Sequence, residues 1–415
     1  MKNIIRLFSL LSFTLASAVL KADNLPFIDP TPGEITIMAS TPIPDGVTPT
    51  RQAYIDLVNA GFNLGITNGS VDYFKNQFEL IGGLDFKYLV KNDLLLTDRR
   101  EEVIDALKDY KQLGGWVFLD EPHYDRIPEL STLYRRLYAA DPSHMIFMNL
   151  VGSVIKIFTG PLTEYSQYLD YIQAKFQPML WSYDLYPFSE QKGKVEVKYN
   201  LFYYDLEQFK RISQTTGRPF WTYLQSMELK IGNYYMPAAK EEYLRFVAFS
   251  SLAYGAQGIL YWTYGQRYSG GNEEYLSALV NLNGEKTNAW YAAKKVNWEI
   301  KRFNHVFYKC KVLDLQHTGD RLYKGTRKLS GEFGSIKMVR SGASGVVISR
   351  IENKEGKRYI VIVNRNVLKN QKVTVELKPN SQIKDITLKK EVIHNWRNDI
   401  TFTLDKGGYK IFEEI

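Results

Sequence analysis

The chain has 415 residues and a formal net charge of +8, and 14% of its residues are aromatic, including 29 tyrosines. The single cysteine, Cys310, has no partner within the chain, so a hydrophobic core rather than disulfides must supply the stability, and the length is ample for one large domain and a small one. The basic excess is spread along the chain, which argues against nucleic-acid binding.

The first 22 residues have the pattern of a signal peptide. Lys2 and Arg6 lie at the start of an apolar stretch over residues 4–20, and small residues near its end supply cleavage sites. This stretch is too short for a convincing membrane span. We therefore expect residues 1–22 to be removed, a secreted or periplasmic location, and no membrane span in the mature chain.

Short apolar runs then alternate with amphipathic segments as far as residue 308, a pattern typical of repeated strand–helix units. The predicted strands are Ile35–Ala39, Phe62–Thr67, Phe86–Val90, Trp116–Asp120, Met145–Leu150, Leu180–Tyr186, Phe220–Gln225 and Ile259–Tyr264. Eight such units match a (β/α)8 TIM barrel over residues 23–308. An open doubly wound sheet is the alternative, but no glycine-rich phosphate loop follows the first strand.

The pattern changes after Cys310. Runs of alternating residues separated by Asn, Gly, Lys and Pro clusters predict a small antiparallel β-sandwich over residues 309–415. This part contains no cluster of titratable residues of the kind that catalysis requires. We expect it to brace the barrel.

The fourth predicted strand ends in two adjacent acids. Residues 115–122 read Gly-Trp-Val-Phe-Leu-Asp-Glu-Pro, so a buried strand delivers Asp120 and Glu121 to the rim where catalytic groups of a barrel lie. Pro122 cannot donate to the strand ladder and ends the strand. The plainer interpretation is a helix cap followed by a surface acid.

Polar and aromatic side chains also follow the other predicted strands, and in a barrel they converge on one mouth. The set comprises Asn68, Asn92, Asp120, Glu121, Asn149, Tyr183, Asp184, Tyr186, Gln225, Glu228, Trp262 and Tyr264. Amides and acids bond hydroxyl groups, while aromatic rings stack on the apolar faces of sugars. The set therefore predicts a carbohydrate substrate, although any single member is more often a packing residue.

Other chemistries fit less well. The five histidines are scattered, which disfavours a zinc site, and no Gly-x-Ser-x-Gly elbow is present. We expect no metal, no other cofactor and a monomeric protein. The chemistry that remains is acid/base catalysis by carboxyl groups. It needs one acid whose pKa is raised so that it can donate a proton near neutral pH.

The segment Leu119-Asp120-Glu121-Pro122 resembles the Asn-Glu-Pro signature of the large clan of retaining (β/α)8 glycoside hydrolases. The segments at residues 182–187, 220–225 and 252–262 are similar to those of secreted bacterial glycoside hydrolases of this kind. The resemblance implies that Glu121 is the general acid/base and that Trp262 forms the floor of the sugar subsite. From the residues at the strand ends, rather than from the resemblance, we also expect substrate contacts from Asn149, Tyr183, Asp184, Tyr186, Gln225 and Tyr264.

Two departures from the clan leave the mechanism open. Asp120 stands where the clan has Asn, and the seventh strand ends in Gln225 where the clan has its nucleophilic glutamate. Glu228 lies three residues further on and is the candidate second carboxylate, in a retaining pair at ~5 Å from Glu121 or an inverting pair at ~6.5–9.5 Å. Alternatively, as in substrate-assisted hexosaminidases, Asp120 orients a 2-acetamido group of the substrate. The frequency of two-carboxylate glycosidases favours Glu228.

The missing glutamate on the seventh strand also allows a second class of function. A degenerate barrel that binds carbohydrate without cleaving it would show the same loss. We therefore predict a glycoside hydrolase with catalytic residues Glu121, Glu228 and Asp120, and keep a non-catalytic carbohydrate-binding protein as the alternative.

Overall fold

The computed structural model describes residues 25–153, 159–388 and 390–415. The predicted signal peptide, residues 1–22, lies outside the described residues. In chain order the strands of the first part are β1 (Thr36–Ser40), β2 (Leu64–Asn68), β3 (Lys87–Lys91), β4 (Leu113–Asp120), β5 (Met145–Val151), β6 (Trp181–Asp184), β7 (Phe188–Gln191), β8 (Lys194–Val197), β9 (Phe220–Gln225), β10 (Glu228–Ile231), β11 (Tyr234–Met236), β12 (Gly258–Trp262) and β13 (Glu273–Ser277).

Eight parallel strands close into a barrel in the order β1-β12-β9-β6-β5-β4-β3-β2. The other strands form two small sheets, β7-β8 and β11-β10-β13, whose members follow the carboxyl ends of β6, β9 and β12. The predicted TIM barrel is confirmed, and these insertions extend it on the side where a barrel carries its active site.

The helices are α1 (Arg51–Asn59), α2 (Val71–Ile81), α3 (Arg100–Leu107), α4 (Ile127–Ala140), α5 (Tyr165–Lys175), α6 (Tyr199–Thr216), α7 (Glu241–Ala253), α8 (Asn288–Arg302) and the short α9 (Asn304–Phe307). Local chemistry sets several of their ends. The side chains of Thr50 and Ser70 accept backbone N–H bonds at the starts of α1 and α2, and Gly217 ends α6 in the left-handed conformation that glycine favours.

Two layers of apolar side chains hold the barrel together. The interior layer consists of Met38, Leu64, Leu89, Val117, Met145, Phe147, Leu180, Trp221, Tyr223 and Leu260, while a larger cluster fills the space between the strands and the helices. Alternate residues of each strand serve the two layers, as the two-residue period of a strand requires. Which of the two layers a strand residue joins therefore decides whether it can reach the mouth.

The C-terminal part is a sandwich, as predicted. Its strands are β14 (Lys311–His317), β15 (Ile336–Ser341), β16 (Val346–Glu352), β17 (Arg358–Asn364), β18 (Gln371–Leu377), β19 (Gln382–Asp385), β20 (Val392–Asn395), β21 (Ile400–Leu404) and β22 (Tyr409–Glu414). They form the sheets β14-β16-β17-β22-β19-β20 and β15-β18-β21, which enclose a separate apolar core. Val347, Ile351 and Val361 join the barrel's outer layer instead, so the sandwich packs against the barrel. The exact domain limits stay a prediction.

Two predicted strands extend too far. The sixth was expected to reach Tyr186, but β6 ends at Asp184, its last residue paired with β5, and Pro187 soon follows. The eighth was expected to reach Tyr264, but β12 ends at Trp262, level with the last residue of its neighbour β9. In both cases the strand ends where its neighbour stops offering hydrogen bonds, which the apolar pattern alone does not reveal.

Candidate active site at the barrel mouth

Three neighbouring strands bring polar side chains together at the mouth. Asp120 ends β4, Asp184 ends β6, and Asn149 lies near the end of β5 between them. The Asn149 amide Nδ2 donates to Asp184 Oδ1 at 2.8 Å and to Asp120 Oδ1 at 3.2 Å. Ser182 Oγ donates to Asn149 Oδ1 at 2.9 Å, which fixes the amide orientation. The buried Asn149 therefore links the two aspartates.

Glu121 is placed by an irregularity at the end of β4. The pairing of β4 with β5 shifts register between Val117 and Leu119, and such bulges re-aim the side chains that follow. Glu121 itself has φ of 47°, a left-handed conformation rare for a residue with a side chain, and its N–H donates to Asn149 O at 2.9 Å. A strained backbone of this kind costs ~1–3 kcal/mol and occurs preferentially at functional sites.

The carboxyl groups of Glu121 and Asp184 are hydrogen-bonded to each other. Burial, and then the neighbouring charges of Glu121 and Asp120, raise the pKa of Asp184 well above its ordinary value. Burial and the charge of Asp120 raise the pKa of Glu121 as well, while the bond to Asp184 opposes this. Because two adjacent carboxylates cannot both ionise cheaply, the pair retains a proton at a pH where isolated acids have lost theirs.

Asp120 differs from the other two acids because it faces the open mouth. Solvent reaches this residue, yet the surrounding protein still raises its pKa through burial. The hydrogen bond from Asn149 and the charge of Lys91 act in the opposite direction and favour the carboxylate. The pKa of Asp120 is thus raised overall, but two neighbouring groups counteract the effect of burial.

A cavity of about 270 Å³ opens beside Asp120. Its lining comprises Ser40, Thr41, Asp45, Ile66, Thr67, Asn68, Lys91, Val117, Leu119, Asp120, Phe147, Tyr223, Trp262 and Arg267. Trp262 packs against the interior layer, with its ring edge-to-face with that of Tyr223 at 6.5 Å between centroids. On β12, Leu260 and Trp262 therefore point inward and Tyr261 points outward.

Tyr223 was not among the predicted site residues. Leu224 belongs to the outer layer, so the two-residue period of β9 places Tyr223 in the interior layer. The alternation of this strand therefore contained the necessary signal. Tyr186 was expected at the mouth. Burial, together with the charges of Asp184, Asp120 and Glu121, raises the pKa of its hydroxyl. The two tyrosines are therefore close to the acids.

Two other expected contact residues have packing roles. Tyr183 points outward and stacks on Phe209 of α6 at 4.0 Å between ring centroids. Tyr264 is 3% exposed, and its hydroxyl accepts a bond from Trp290 Nε1 at 3.1 Å. Both residues belong to the outer layer, so they are turned away from the mouth, which corrects their assignment as substrate contacts.

Gln225 is at the mouth but is fully engaged by the backbone. Its Nε2 donates to Pro237 O at 3.1 Å, in the insertion that follows β9, and its Oε1 accepts from Phe188 N at 3.3 Å, in the insertion that follows β6. The side chain therefore connects the two insertions. Asn92 likewise bonds backbone groups, accepting from Leu94 N and donating to Gly69 O, whereas Asn68 lines the cavity.

Glu228 lies on β10, in the small sheet beyond the end of β9. Its carboxylate accepts a hydrogen bond from the hydroxyl of Tyr235, on the adjacent strand β11. It is not among the charges that act on Glu121, Asp120 or Asp184. Its proposed part in catalysis stays a prediction.

Within the described residues, no grouping of three His, Cys, Asp or Glu side chains is arranged to hold a metal ion. Over the same ranges, no helix combines the length and hydrophobicity that crossing a bilayer requires.

Comparison with known proteins agrees with this picture. The profile of glycoside hydrolase family 42, described as Beta-galactosidase, matches residues 134–303, less than half of the chain. The match runs from α4 to the end of α8, and so includes Asp184, Gln225 and Trp262 but not Asp120 or Glu121. No curated protein matches the chain in sequence.

Several solved structures share the fold. A catalytic mutant of a GH42 β-galactosidase from G. stearothermophilus superimposes with a TM-score of 0.60 at 9% identity, covering 94% of this chain and 100% of the other. A β-galactosidase from Rahnella sp. R3 superimposes with a TM-score of 0.60 at 8% identity, covering 95% of this chain and 100% of the other. A β-galactosidase from Bacillus circulans sp. alkalophilus superimposes with a TM-score of 0.59 at 8% identity, covering 92% of this chain and 99% of the other.

The family match and the acid-bearing barrel support one enzyme class. The protein is a glycoside hydrolase. Hydrolysis of a glycosidic bond implies a carbohydrate substrate, and the alternative of a barrel that only binds sugar is not favoured.

Proposed function

We propose that this enzyme cleaves a glycosidic bond with Glu121 as the general acid. The observation that carries the proposal is the hydrogen-bonded pair of Glu121 and Asp184, in which burial and the charge of Asp120 hold a proton at elevated pKa. General acid catalysis needs a carboxyl group that is still protonated near the working pH. Glu121, at the rim of the mouth, donates this proton to the leaving oxygen.

Asp184 acts as the proton partner of Glu121. Because the Asp184 carboxyl bonds the acid itself, we assign it no part as the nucleophile, which a retaining enzyme holds ~5 Å from its acid. Its role is to keep the proton on the pair until the leaving oxygen takes it.

Asp120 is the carboxylate that meets the sugar. It is open to the cavity, and both Asn149 and Lys91 favour its ionised form. There it stabilises the positive charge that develops at the anomeric carbon, directly or by orienting a substituent of the substrate. Glu228 is the alternative second carboxylate, because it follows β9, where the resembled clan has its nucleophile.

Trp262, with Tyr186 and Tyr223, forms the sugar platform, and Asn149 positions the acids. Aromatic rings of this kind stack on pyranose faces. Since the family profile and the structural relatives are described as β-galactosidases, β-galactosides are the first substrates to test. The proposed location is outside the cytoplasm, in the periplasm or the medium.

A panel of aryl glycosides and polysaccharides tests the proposal. Purified protein should release the aryl group or new reducing ends from at least one substrate, and the Glu121→Gln variant should not. Binding of sugars without turnover of any substrate would instead establish the non-catalytic alternative. Fractionation of cells that express the full chain, with mass spectrometry of the N-terminus, tests the predicted cleavage of residues 1–22.

A further inference from the structure

Two of the charged residues of the cavity approach it from opposite strands. Asp120 lines it from the end of β4, and Arg267 lines it from the loop after β12. In the barrel order, β12 and β4 are separated by three strands in either direction, so they stand across the mouth from each other. A sugar that spans the cavity therefore meets the Asp120 carboxylate at one end and a guanidinium at the other.

Arg267 is held in place without an acidic partner. Its guanidinium carbon lies 5.5 Å from the ring centroids of both Trp262 and Tyr275, and it hydrogen-bonds the Tyr275 hydroxyl. Among the described residues, no carboxylate is within ion-pair distance of it. A guanidinium has five N–H donors, and Arg267 lines the cavity, so it has donors to offer to a bound ligand.

The other charged residues of the cavity are already engaged. Lys91, on β3 beside β4, acts on Asp120 and lowers its pKa. Asp45 accepts a hydrogen bond from Tyr268 N at 2.9 Å. Arg267 is the cavity cation that lies across the mouth from Asp120 and has no ion-pair partner among the described residues, and a bound anion would supply one.

We propose that the substrate carries an anionic substituent, a carboxylate or a sulfate, which Arg267 binds while Trp262 supports the ring. The proposal rests on the proposed function and adds its substrate class. Arginine binds carboxylate and sulfate through paired N–H bonds, which makes it the side chain suited to select a charged sugar over its neutral counterpart.

Matched aryl glycosides that differ only at C6 test this. The wild-type enzyme should prefer 4-nitrophenyl glucuronide or galacturonide, or the aryl 6-sulfate, over the corresponding neutral glycoside in kcat/KM. Arg267→Gln should lower kcat/KM for the acidic substrate ~10–100-fold, as expected for a lost charged hydrogen bond, and change the neutral one by less than threefold. Arg267→Lys should retain part of the preference, and the relative rates on uronides and sulfates distinguish the two anions.

Equal losses on the acidic and neutral substrates, or a wild-type preference for neutral sugars, would overturn the proposal by giving Arg267 a packing role only. Calorimetry with the Glu121→Gln variant separates this from failure of the proposed function. If this variant binds galacturonate more tightly than galactose while the wild-type protein cleaves no glycoside, the anion site stands and the hydrolase proposal falls. If neither binds preferentially, the anion site is refuted whatever the activity.

Discussion

The two regions that offer candidate carboxylates for catalysis differ in what surrounds them. At the mouth, Asp120, Glu121 and Asp184 are joined through Asn149 and through the bond between two acids, and each has a raised pKa. On the small sheet, Glu228 is bonded by Tyr235 and is absent from that network. The acids that contact one another therefore lie at the ends of β4 and β6. In the resembled clan, the two catalytic acids lie on the fourth and seventh strands.

The largest effect should come from Glu121→Gln. The amide keeps the shape of the side chain but has no proton to transfer, so kcat should fall ~10²–10⁴-fold. Glu196→Gln, an exposed change on β8, is the matched control and should leave kcat unaltered. Thermal melting should show that both variants remain folded. Retention of activity within about tenfold of the parent would end the assignment of Glu121 as the acid.

A smaller effect is expected from Trp262→Ala. Loss of the aromatic platform should raise KM on neutral aryl glycosides ~10-fold, since a stacked ring contributes on the order of 1 kcal/mol beyond the apolar area that it covers. The measurement is steady-state kinetics with kcat and KM determined separately. An unchanged KM would show that the sugar does not lie on Trp262.

The smallest effect concerns pH. The charge of Lys91 lowers the pKa of Asp120, so Lys91→Met should raise it. Because Asp120 is needed as the carboxylate, the acidic limb of kcat/KM on a neutral substrate should move to higher pH. The alkaline limb follows Glu121, which must be protonated, so activity should fall as pH rises through the raised pKa of this group. An acidic limb that does not move would remove Asp120 from catalysis.

Much of this arrangement was predictable from local pattern. The position of Asp120 and Glu121 at the end of β4 and the closure of the barrel both follow from short apolar runs bounded by turn residues. The side of the strand on which Tyr183 lies did not follow, because a barrel strand is buried on both faces and its apolar run does not show which alternate residues point inward. Tyr264 lies beyond the end of β12, which depends on hydrogen bonds to the neighbouring strands. Tyr183 and Tyr264 were therefore assigned to the mouth although both face the helices.

The bond between Glu121 and Asp184 was equally hidden. It joins residues 63 positions apart and depends on a bulge in β4 and on the left-handed backbone of Glu121. Neither feature has a reliable signature in a single sequence. The residue types at the mouth were readable, but the way in which the acids pair was not.

The central claim is that Asp184, rather than Glu228, is the partner of Glu121. Kinetics of Asp184→Asn and Glu228→Gln on the same substrate over pH 4–9 test it most directly. We expect Asp184→Asn to lower kcat/KM at least ~10-fold and to alter the alkaline limb, because the shared proton is lost. We expect Glu228→Gln to keep kcat/KM within about threefold of the parent and to leave the limb unmoved. A Glu228→Gln variant that loses activity by orders of magnitude, beside an Asp184→Asn variant that keeps it, would contradict the account.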